Sequence, residues 1–562
     1  MNKRIVVIGG SAAGPKAAAK ARRTDEFAKI TMFQKGPDLS MASCGYPYFV
    51  GGFFDDRNKL LCTPTGVIRD PKFYWDSKGI EAKINTEVTK INTEKKTVEY
   101  INLETGITGQ QEYDKLIIAT GATPNKPAVP GIDLKGITTL QSIQDADYLR
   151  KIKDEGKVKK AVVIGGGLIG IETLEALHLA GIELTMIELL PQLLTFLDWK
   201  IAKLVQNYLK TKANVITKNG VAEFLGENGK LTGVRLQNGT EIPCELAVIA
   251  IGVKPNVELA RQAGIKTGSL GGITVNKYMQ TSNPDIYAVG DCCEIKNIIT
   301  GENVLAPYGD LANLEGRVAG VNVIKGNTET FPGTFQTGIC KLFDYNIGIT
   351  GLSEEKAQEA KIDYVKVVNV SPDKPSFMNG KLLITKLLAE KNSGRILGAQ
   401  CVGTGDVSKQ LAIWATALKG KLTVEDIVNN DLPYAPPFSL AIDHSIASAH
   451  ILQNKMKGNF TGISALDFKE RLQENHDMFI LDVRGADEYE QTRLGVGEVL
   501  IPIVKLRNRL NELPEDKNKE IITYCKISLR GYEASVLLKA HGYTNVKVIE
   551  GGILGWPFEK EK

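Results

Sequence analysis

The sequence has no two cysteines spaced to work together as a local dithiol. Its eight cysteines stand at 44, 62, 244, 292, 293, 340, 401 and 525, without a Cys-x-x-Cys or Cys-x4-Cys pair. That excludes a redox disulfide built around Cys44, and the scatter offers no metal-ligand spacing, so no metal is expected. Cys292 and Cys293 are vicinal, cannot easily bridge each other, and read as small buried residues. No uncharged apolar run reaches the length of about 18 residues that a spanning helix needs. The net charge is only +4 over 562 residues, which gives no support to nucleic-acid binding. A strand, Arg4-Ile5-Val6-Val7-Ile8, begins almost at once, so no signal peptide is expected. Reactive thiols survive best in a reducing setting, and the cytoplasm is the expected location.

What is present is ample apolar content, 43%, and 56 glycines, which suit repeated tight turns between strands and helices. Two strand–glycine turn–helix units recur, Ile5 to Ala21 and Ala161 to Leu179, each opening with the continuous apolar run of a buried parallel strand. The spacing predicts one nucleotide domain interrupted by another: residues 1–115 with 245–330, and 116–244 inserted. Leu116–Gly121 and Leu246–Gly252 read as the crossings. From about 331 to 453 strands and helices alternate as a separate α+β domain. A polar stretch at 454–458 reads as a linker, and residues 459–562 as a small α/β domain.

The second turn, Gly165-Gly166-Gly167-Leu168-Ile169-Gly170, meets the full G-x-G-x-x-G rule. Its glycines permit the tight turn, close approach to a pyrophosphate and close helix packing. Glu188 ends the next strand, where a carboxylate accepts hydrogen bonds from a ribose 2′-hydroxyl. Leu189 and Leu190 follow, without an arginine for a 2′-phosphate. NADH is therefore expected over NADPH. The first turn, Gly9-Gly10-Ser11-Ala12-Ala13-Gly14, has serine at the middle position, and Gln34 stands where the ribose-binding acid belongs, followed by Lys35. Glutamine still hydrogen-bonds a hydroxyl, but without the charge-assisted bond.

These two turns, Ala119-Thr120-Gly121 and Ala288-Val289-Gly290-Asp291 resemble the FAD-dependent pyridine nucleotide–disulfide oxidoreductases. The resemblance implies FAD at the first unit, held by Gly9, Gly10, Ser11, Ala13, Gly14, Gln34, Lys35, Ser43, Thr120, Gly121 and the ribityl-binding Asp291. It implies NAD(P)H at the second, held by Gly165, Gly167, Leu168, Ile169, Gly170, Glu188 and Gly252. Residues 331–453 then correspond to the dimerisation domain. Ser43-Cys44-Gly45 and Leu432-Pro433-Tyr434-Ala435-Pro436-Pro437-Phe438 resemble the branch that holds coenzyme A disulfide reductases and NADH oxidases. There Cys44 is the redox centre and Tyr434 reaches the Cys44 of a second subunit, so a homodimer is implied. Coenzyme A or a similar carrier would meet Arg22, Ser40 and Asn313.

The last domain resembles a rhodanese, through Leu481-Asp482-Val483-Arg484 and Tyr524-Cys525-Lys526-Ile527-Ser528-Leu529-Arg530. Four residues between Cys525 and Arg530 imply sulfur transfer, with a nest of backbone N–H groups and Arg530 holding a persulfide anion. Asp482 and Arg484 mainly fix the fold. Ser528 occupies a position where glycine is usual, and Leu494-Gly495-Val496-Gly497 replaces the customary Gly-His-Ile-x-Gly-Ala. Tyr46 adds bulk beside Cys44 where leucine is usual. The whole chain therefore resembles the coenzyme A disulfide reductase–rhodanese fusions.

The expected activity is reduction of persulfides, polysulfides or coenzyme A disulfide by NADH and FAD, through Cys44 and with sulfane sulfur on Cys525. A free thiol has a pKa near ~8.5, so Cys44 needs a favourable field, from the flavin, backbone N–H groups or a nearby helix. Two alternatives remain: an NADH oxidase or peroxidase using a Cys44 sulfenic acid, and a sulfur carrier or sensor with a protein partner.

Overall fold

The computed structural model describes residues 2–562. The chain forms two compact units, Met1–Pro191 with Ala213–Thr334, and Gln192–Lys212 with Phe335–Lys562.

The first unit holds two five-stranded parallel sheets. One runs Ile286–Ala288, Lys115–Ile118, Arg4–Ile8, Lys29–Phe33, Ile80–Lys83; the other runs Asn214–Ile216, Glu183–Ile187, Lys160–Ile164, Leu246–Ile249, Ile137–Thr138. Parallel strands need covered crossovers and are buried on both faces. Leu116, Ile117 and Ile118 accordingly show 0% exposure.

This shifts the expected borders. The runs at 116 and 246 are central strands of the first and second sheet respectively, not crossings. The crossings follow them, as Ala122–Pro124 and Val253–Pro255, which pair antiparallel with Lys254 opposite Thr123. Strand 115–118 therefore belongs with the first nucleotide domain and strand 246–249 with the second, a few residues beyond the borders expected at 116 and 245.

At each glycine turn, packing dictates two of the glycines. A Cβ on Gly9 (φ +114°) would stand 2.0 Å from the Ala119 carbonyl oxygen, and one on Gly14 would stand 1.9 Å from that of Gly9. The second turn repeats this, with Gly165 at 2.3 Å from the Ala250 oxygen and Gly170 at 2.0 Å from that of Gly165. The middle position is different: a Cβ on Gly167 meets nothing within 4 Å. Serine at the matching position 11 therefore costs no packing.

The second unit contains a five-stranded antiparallel sheet, in the order Gly338–Leu342, Tyr345–Gly351, Ile396–Gly403, Leu382–Glu390, Tyr364–Pro372. Helices Val407–Gly420 and His444–Met456 pack on it. A parallel sheet follows: Gly462–Ile463, Val546–Ile549, Glu520–Tyr524, Met478–Asp482, Val499–Leu500. Helix Trp199–Leu209, expected inside the domain 116–244, lies in this unit. Asp198 explains why. Its carboxylate accepts from Gln400 Nε2 at 2.8 Å and pairs with buried Lys386 at 2.8 Å.

The expected linker at 454–458 is largely the last turn of helix His444–Met456. Lys455 pins it, donating to the Lys366 carbonyl at 2.8 Å and to Glu550 at 2.5 Å. Among the described residues no helix is long and apolar enough to cross a membrane.

Candidate active site

A cavity of about 840 Å³ runs along the carboxyl ends of the first parallel sheet, where open α/β sheets place ligands. Gly9, Gly10, Ser11, Ala13, Gln34, Lys35, Ser43, Cys44, Thr120, Gly121 and Asp291 all line it. Gly14 acts from behind, through its contact with Gly9. Gln34 Oε1 accepts the Gly10 N–H at 2.9 Å, and Lys35 pairs with Glu87 at 2.8 Å. Thr120 Oγ1 donates to the Asn256 carbonyl at 2.7 Å, and Asn256 Nδ2 returns a bond to the Thr120 carbonyl at 2.9 Å.

Asp291 is presented by a turn that Glu315 braces from below. Buried Glu315 accepts the Gly290 N–H at 2.6 Å, and the Cys293 thiol points at the same oxygen from 3.6 Å. Desolvation pushes Glu315 up to about 8 and raises Asp291 as well. A desolvated carboxyl facing a long polar cavity suits a chain of hydroxyls, and the glycine turn suits a pyrophosphate. The donor set fits FAD, and the volume lies within the usual 300–1,000 Å³ of cofactor sites.

Cys44 opens into this cavity from a short turn, Ser43–Gly45, that runs into helix Tyr46–Gly51. A Cβ on Gly309 would stand 3.6 Å from Cys44 Sγ, so the thiol faces the start of the helix Gly309–Lys325. A helix N-terminus favours an anion. The rest of the field opposes one. Desolvation first, then the Glu172 and Asp291 carboxylates, raise Cys44 above its ordinary value, against the lowering effect of its own N–H and the Ser43 hydroxyl. The expected thiolate-favouring field is thus only partly supplied by the protein.

Tyr46 does not crowd the thiol. Its ring is buried and its hydroxyl points to Met41 Sδ at 3.5 Å.

Asn313 donates to the Gly309 carbonyl at 2.7 Å, one turn above the contact with Cys44. Ser40 takes a left-handed conformation, φ +55°, and its N–H bonds the Gly10 carbonyl at 2.7 Å. Arg22 is engaged with backbone carbonyls. Its guanidinium donates to the carbonyls of Lys78 (2.8 Å) and Gly79 (2.7 Å) and to Glu26, where it caps helix Pro71–Lys78. A phosphate would have to replace these bonds.

At the second turn, Glu188 Oε2 accepts the Gly166 N–H at 2.7 Å and its Oε1 accepts that of Leu190 at 2.8 Å. Leu168 and Ile169 begin helix Leu168–His178, with Ile169 exposed. Gly252 (φ +89°) follows the sheet, and its carbonyl accepts the Asn125 N–H at 2.9 Å.

In the second unit Tyr434 is exposed on a segment that also bares Phe438, and Phe377 is bare too. Cys525 is buried. Ile553 N–H donates to its carbonyl at 2.9 Å, and Gly552 passes so close that a Cβ there would lie 2.5 Å from that oxygen. Ser528 has φ +99°, the glycine-like conformation its position implied. Its hydroxyl donates to the Ile549 carbonyl at 3.2 Å and accepts the Gly551 N–H at 2.7 Å.

Arg530 is already paired in the structure. Both its Nη atoms bond Glu488, at 2.6 and 2.8 Å, so it is not a free cation for a persulfide. It still faces Cys525, which helps raise it after the Glu488 bond. Asp482 and Arg484 form a buried pair at 2.6 Å, and Arg484 also ties the carbonyls of Glu488 and Thr492, a structural role as expected. The atypical Leu494–Gly497 stretch folds around Glu498. That carboxylate accepts the N–H groups of Leu494, Gly495 and Val496 and the Tyr524 hydroxyl, at 2.8 to 3.1 Å.

The profile of the pyridine nucleotide-disulphide oxidoreductases matches residues 3–306, that of their dimerisation domain 337–446, and a rhodanese-like domain 464–558. The chain belongs to the pyridine nucleotide-disulphide oxidoreductases. An NAD(P)H coenzyme A polysulfide/persulfide reductase of Pyrococcus horikoshii is 34% identical over 456 residues, 81% of this chain and 99% of that protein. Among solved structures, a NAD-dependent persulfide reductase from A. fulgidus superposes with a TM-score of 0.93 at 40% identity, covering 98% of this chain and 100% of that one. The reduced CoADR-RHD of Bacillus anthracis gives 0.91 at 35% identity, over 99% and 98%.

Glu172, Glu315, Glu488 and Glu498 escaped the sequence reading. A glutamate on a helix or loop reads as solvated surface. Only Glu488 left a trace, three residues after the helix-capping Gly485.

Proposed function

We propose that the protein is an FAD-dependent, NADH-driven reductase of small persulfides, polysulfides or coenzyme A disulfide. The observation that carries this is one accessible thiol, Cys44, opening into the cofactor cavity without a partner cysteine, in a chain that also bears a sulfur-transfer loop. The P. horikoshii and A. fulgidus relatives, named for persulfide reduction, support the same reading.

With one thiol, the substrate must form a bond to the protein. The Cys44 thiolate attacks the thiol-side sulfur of R–S–SH, forming Cys44–S–S–R and releasing HS⁻. FAD, held along Gly9, Gly10, Gln34 and Asp291, would supply the two-electron chemistry that links NADH to reduction of this disulfide. Cleavage of that disulfide restores the Cys44 thiolate and frees RS⁻. Both leaving sulfurs take a proton, and NADH returns one, so R–SSH + NADH + H⁺ yields R–SH + H₂S + NAD⁺. Ser43 orients the thiol, and the start of helix Gly309–Lys325 steadies the anion. Gln34 and Asp291 hold the cofactor, and Asn313 and Ser40 face the carrier. Cys525 takes sulfane sulfur from a donor or presents it to Cys44. We take the working unit to be a homodimer, with exposed Tyr434 reaching the partner subunit's Cys44 as a proton donor. On the chemistry of its thiols we assign it to the cytoplasm.

The test is anaerobic NADH oxidation by wild type, Cys44→Ser and Cys525→Ser with coenzyme A persulfide, glutathione persulfide, coenzyme A disulfide and polysulfide, and separately with oxygen. Hydrosulfide release that dies with Cys44→Ser supports the reading. Turnover with oxygen alone overturns it.

A further inference from the structure

The loop that carries Cys525 rests against a second segment of its own domain, residues 550–554. Ile553 N–H donates to the Cys525 carbonyl at 2.9 Å, and Leu554 N–H to the Lys526 carbonyl at 3.1 Å. Gly551 N–H donates to the Ser528 hydroxyl at 2.7 Å. Gly552, at φ +56°, comes so close that a Cβ would stand 2.5 and 2.7 Å from those two carbonyl oxygens. A trans peptide points its N–H opposite to its C=O. With the carbonyls of Cys525 and Lys526 turned to this wall, the N–H groups of Lys526 and Ile527 point away from it. Successive N–H groups directed in this way make an anion nest. The wall therefore sets the aim of the nest.

What holds the wall comes from outside the rhodanese-like domain, which spans 464–558. Lys200, on helix Trp199–Leu209, donates to the Glu550 carbonyl at 2.8 Å. Lys455, in the last turn of helix His444–Met456, bonds the Glu550 carboxylate at 2.5 Å and the Lys366 carbonyl at 2.8 Å. A Cβ on Gly551 would stand 3.2 Å from Val370 and 3.3 Å from Val368, both on strand Tyr364–Pro372. Helix Trp199–Leu209 also grips the chain that continues the wall. Asn207 Nδ2 donates to the Pro557 carbonyl at 2.7 Å, and the Trp199 ring lies 5.6 Å from that of Phe558.

We propose that Lys200 and Lys455 are positioning residues of the Cys525 loop: through Glu550 they hold the wall that aims the loop's N–H groups at a sulfane anion. The inference rests on the reading of Cys525 as a sulfur-transfer site and names what completes that site from outside its domain.

Burying an ammonium costs free energy unless it is paired. Both lysines are paired on one buried residue, since Glu550 gives Lys200 its acceptor and Lys455 its counter-charge. Desolvation foremost lowers Lys200 to about 8, against the attraction of Glu550 and with Lys386 and Lys366 as like charges. Those two are themselves tied to Glu354. Removing either lysine leaves a buried oxygen of Glu550 unmet, so the segment must shift to find another donor. The shift passes to the Cys525 and Lys526 carbonyls, which the next residues of the same segment hold.

The experiment compares FAD-loaded wild type with Lys200→Met, Lys455→Met and Lys455→Arg. Two quantities are read: sulfur transfer from thiosulfate to cyanide, and amide hydrogen exchange by mass spectrometry in residues 525–530 and 478–482. In the transfer, the Cys525 thiolate takes the sulfane sulfur and releases sulfite. Cyanide then removes that sulfur as thiocyanate and restores the thiolate. Each methionine variant should lower kcat by about tenfold or more and speed exchange in 525–530, with 478–482 as in wild type. Lys455→Arg keeps a cationic donor for Glu550 and should restore both. The Lys455 variants carry the test if Lys200→Met does not fold. Wild-type transfer and exchange in the methionine variants overturn the proposal. So does faster exchange spread equally over 478–482, because the lysines then only hold the domain folded. A wild type that transfers no sulfur sinks the reading of Cys525 instead, while loop exchange still decides the role of the lysines.

Discussion

Arg530 and Glu488 meet as a bidentate pair, Nη1 to Oε2 at 2.6 Å and Nη2 to Oε1 at 2.8 Å. The cation of the sulfur-transfer loop is therefore neutralised at its mouth. The Arg530 bond, foremost, holds Glu488 at about 2, so the pair is intact throughout the neutral range. An anionic donor gains little from such a site.

Glu488→Gln should liberate that charge. Sulfur transfer from thiosulfate to cyanide should rise in this variant relative to wild type, and should fall more steeply with added salt, as exposed charge attraction does. Arg530→Ala removes the cation that Glu488→Gln frees, so combining it with Glu488→Gln should abolish both the rise and the steeper salt dependence. Equal salt dependence in wild type and Glu488→Gln would show that Arg530 is not being released.

This pair also shows where sequence reasoning stops. The glycine turns, Glu188, Asp291 and Cys44 were legible because their chemistry is local: a turn, a strand end and a side chain within a few residues. Arg530 was legible as a residue but not as a charge, because its partner lies 42 positions away. Glu172 was invisible for the same reason, since its bond from Tyr48 exists only once two helices pack. The domain borders slipped because the apolar run that ends a sheet and the segment that leaves it are continuous in sequence. Hydrogen bonding, not hydropathy, separates Ile118 from Ala122. Helix Trp199–Leu209 joined the second unit through Asp198, whose partners Lys386 and Gln400 are distant in the chain.

Ser528 sets two effects of similar size against each other. A left-handed conformation costs a serine roughly 1–2 kcal/mol, which glycine would relieve. The hydroxyl, however, satisfies the Gly551 N–H and the Ile549 carbonyl, and leaving such a buried group unmet costs about 1–3 kcal/mol. Ser528→Gly should therefore stay within about 1 kcal/mol of wild type in urea unfolding. Ser528→Ala keeps the strain and loses the bonds, so it should be the less stable of the two by about 1–2 kcal/mol. An alanine variant as stable as the glycine one would mean that the positive φ at this position costs nothing.

Glu188 binds the Gly166 and Leu190 N–H groups with its two oxygens, at the strand end where the dinucleotide's ribose is expected to lie. On that expectation a 2′-phosphate would face the Glu188 carboxyl, with exposed Leu189 and Leu190 next along the chain. The ratio of kcat/KM for NADH over NADPH should be well above one. Glu188→Ala with Leu189→Arg should lower it by at least tenfold, about 1.4 kcal/mol. An unchanged ratio would show that the dinucleotide's ribose does not lie against Glu188.

His444 is fully buried in the second unit, in a chain of hydrogen bonds. Ser371 Oγ lies 2.6 Å from its Nδ1, Thr385 Oγ1 lies 2.8 Å from its Nε2, and Thr385 in turn donates to Cys401 Sγ at 3.2 Å. With Thr385 already donating to sulfur, Nε2 carries the hydrogen and Nδ1 accepts from Ser371. Burial depresses His444 from 6.5 to about 4. The unfolded chain takes up this proton as the pH falls below about 6.5, whereas the folded protein refuses it until about 4. The contribution is therefore fully present above 6.5 and is lost progressively between 6.5 and 4, by up to about 3 kcal/mol. Glu172 and Glu315 carry raised values and bias the same range the other way, because folded protein binds their protons more tightly. The decisive quantity is thus a difference. Urea unfolding of wild type and His444→Gln across this range should show wild type losing stability relative to the variant as the pH falls from 6.5 to 4. Parallel curves would mean that His444 accepts its proton without breaking the Ser371–His444–Thr385 chain.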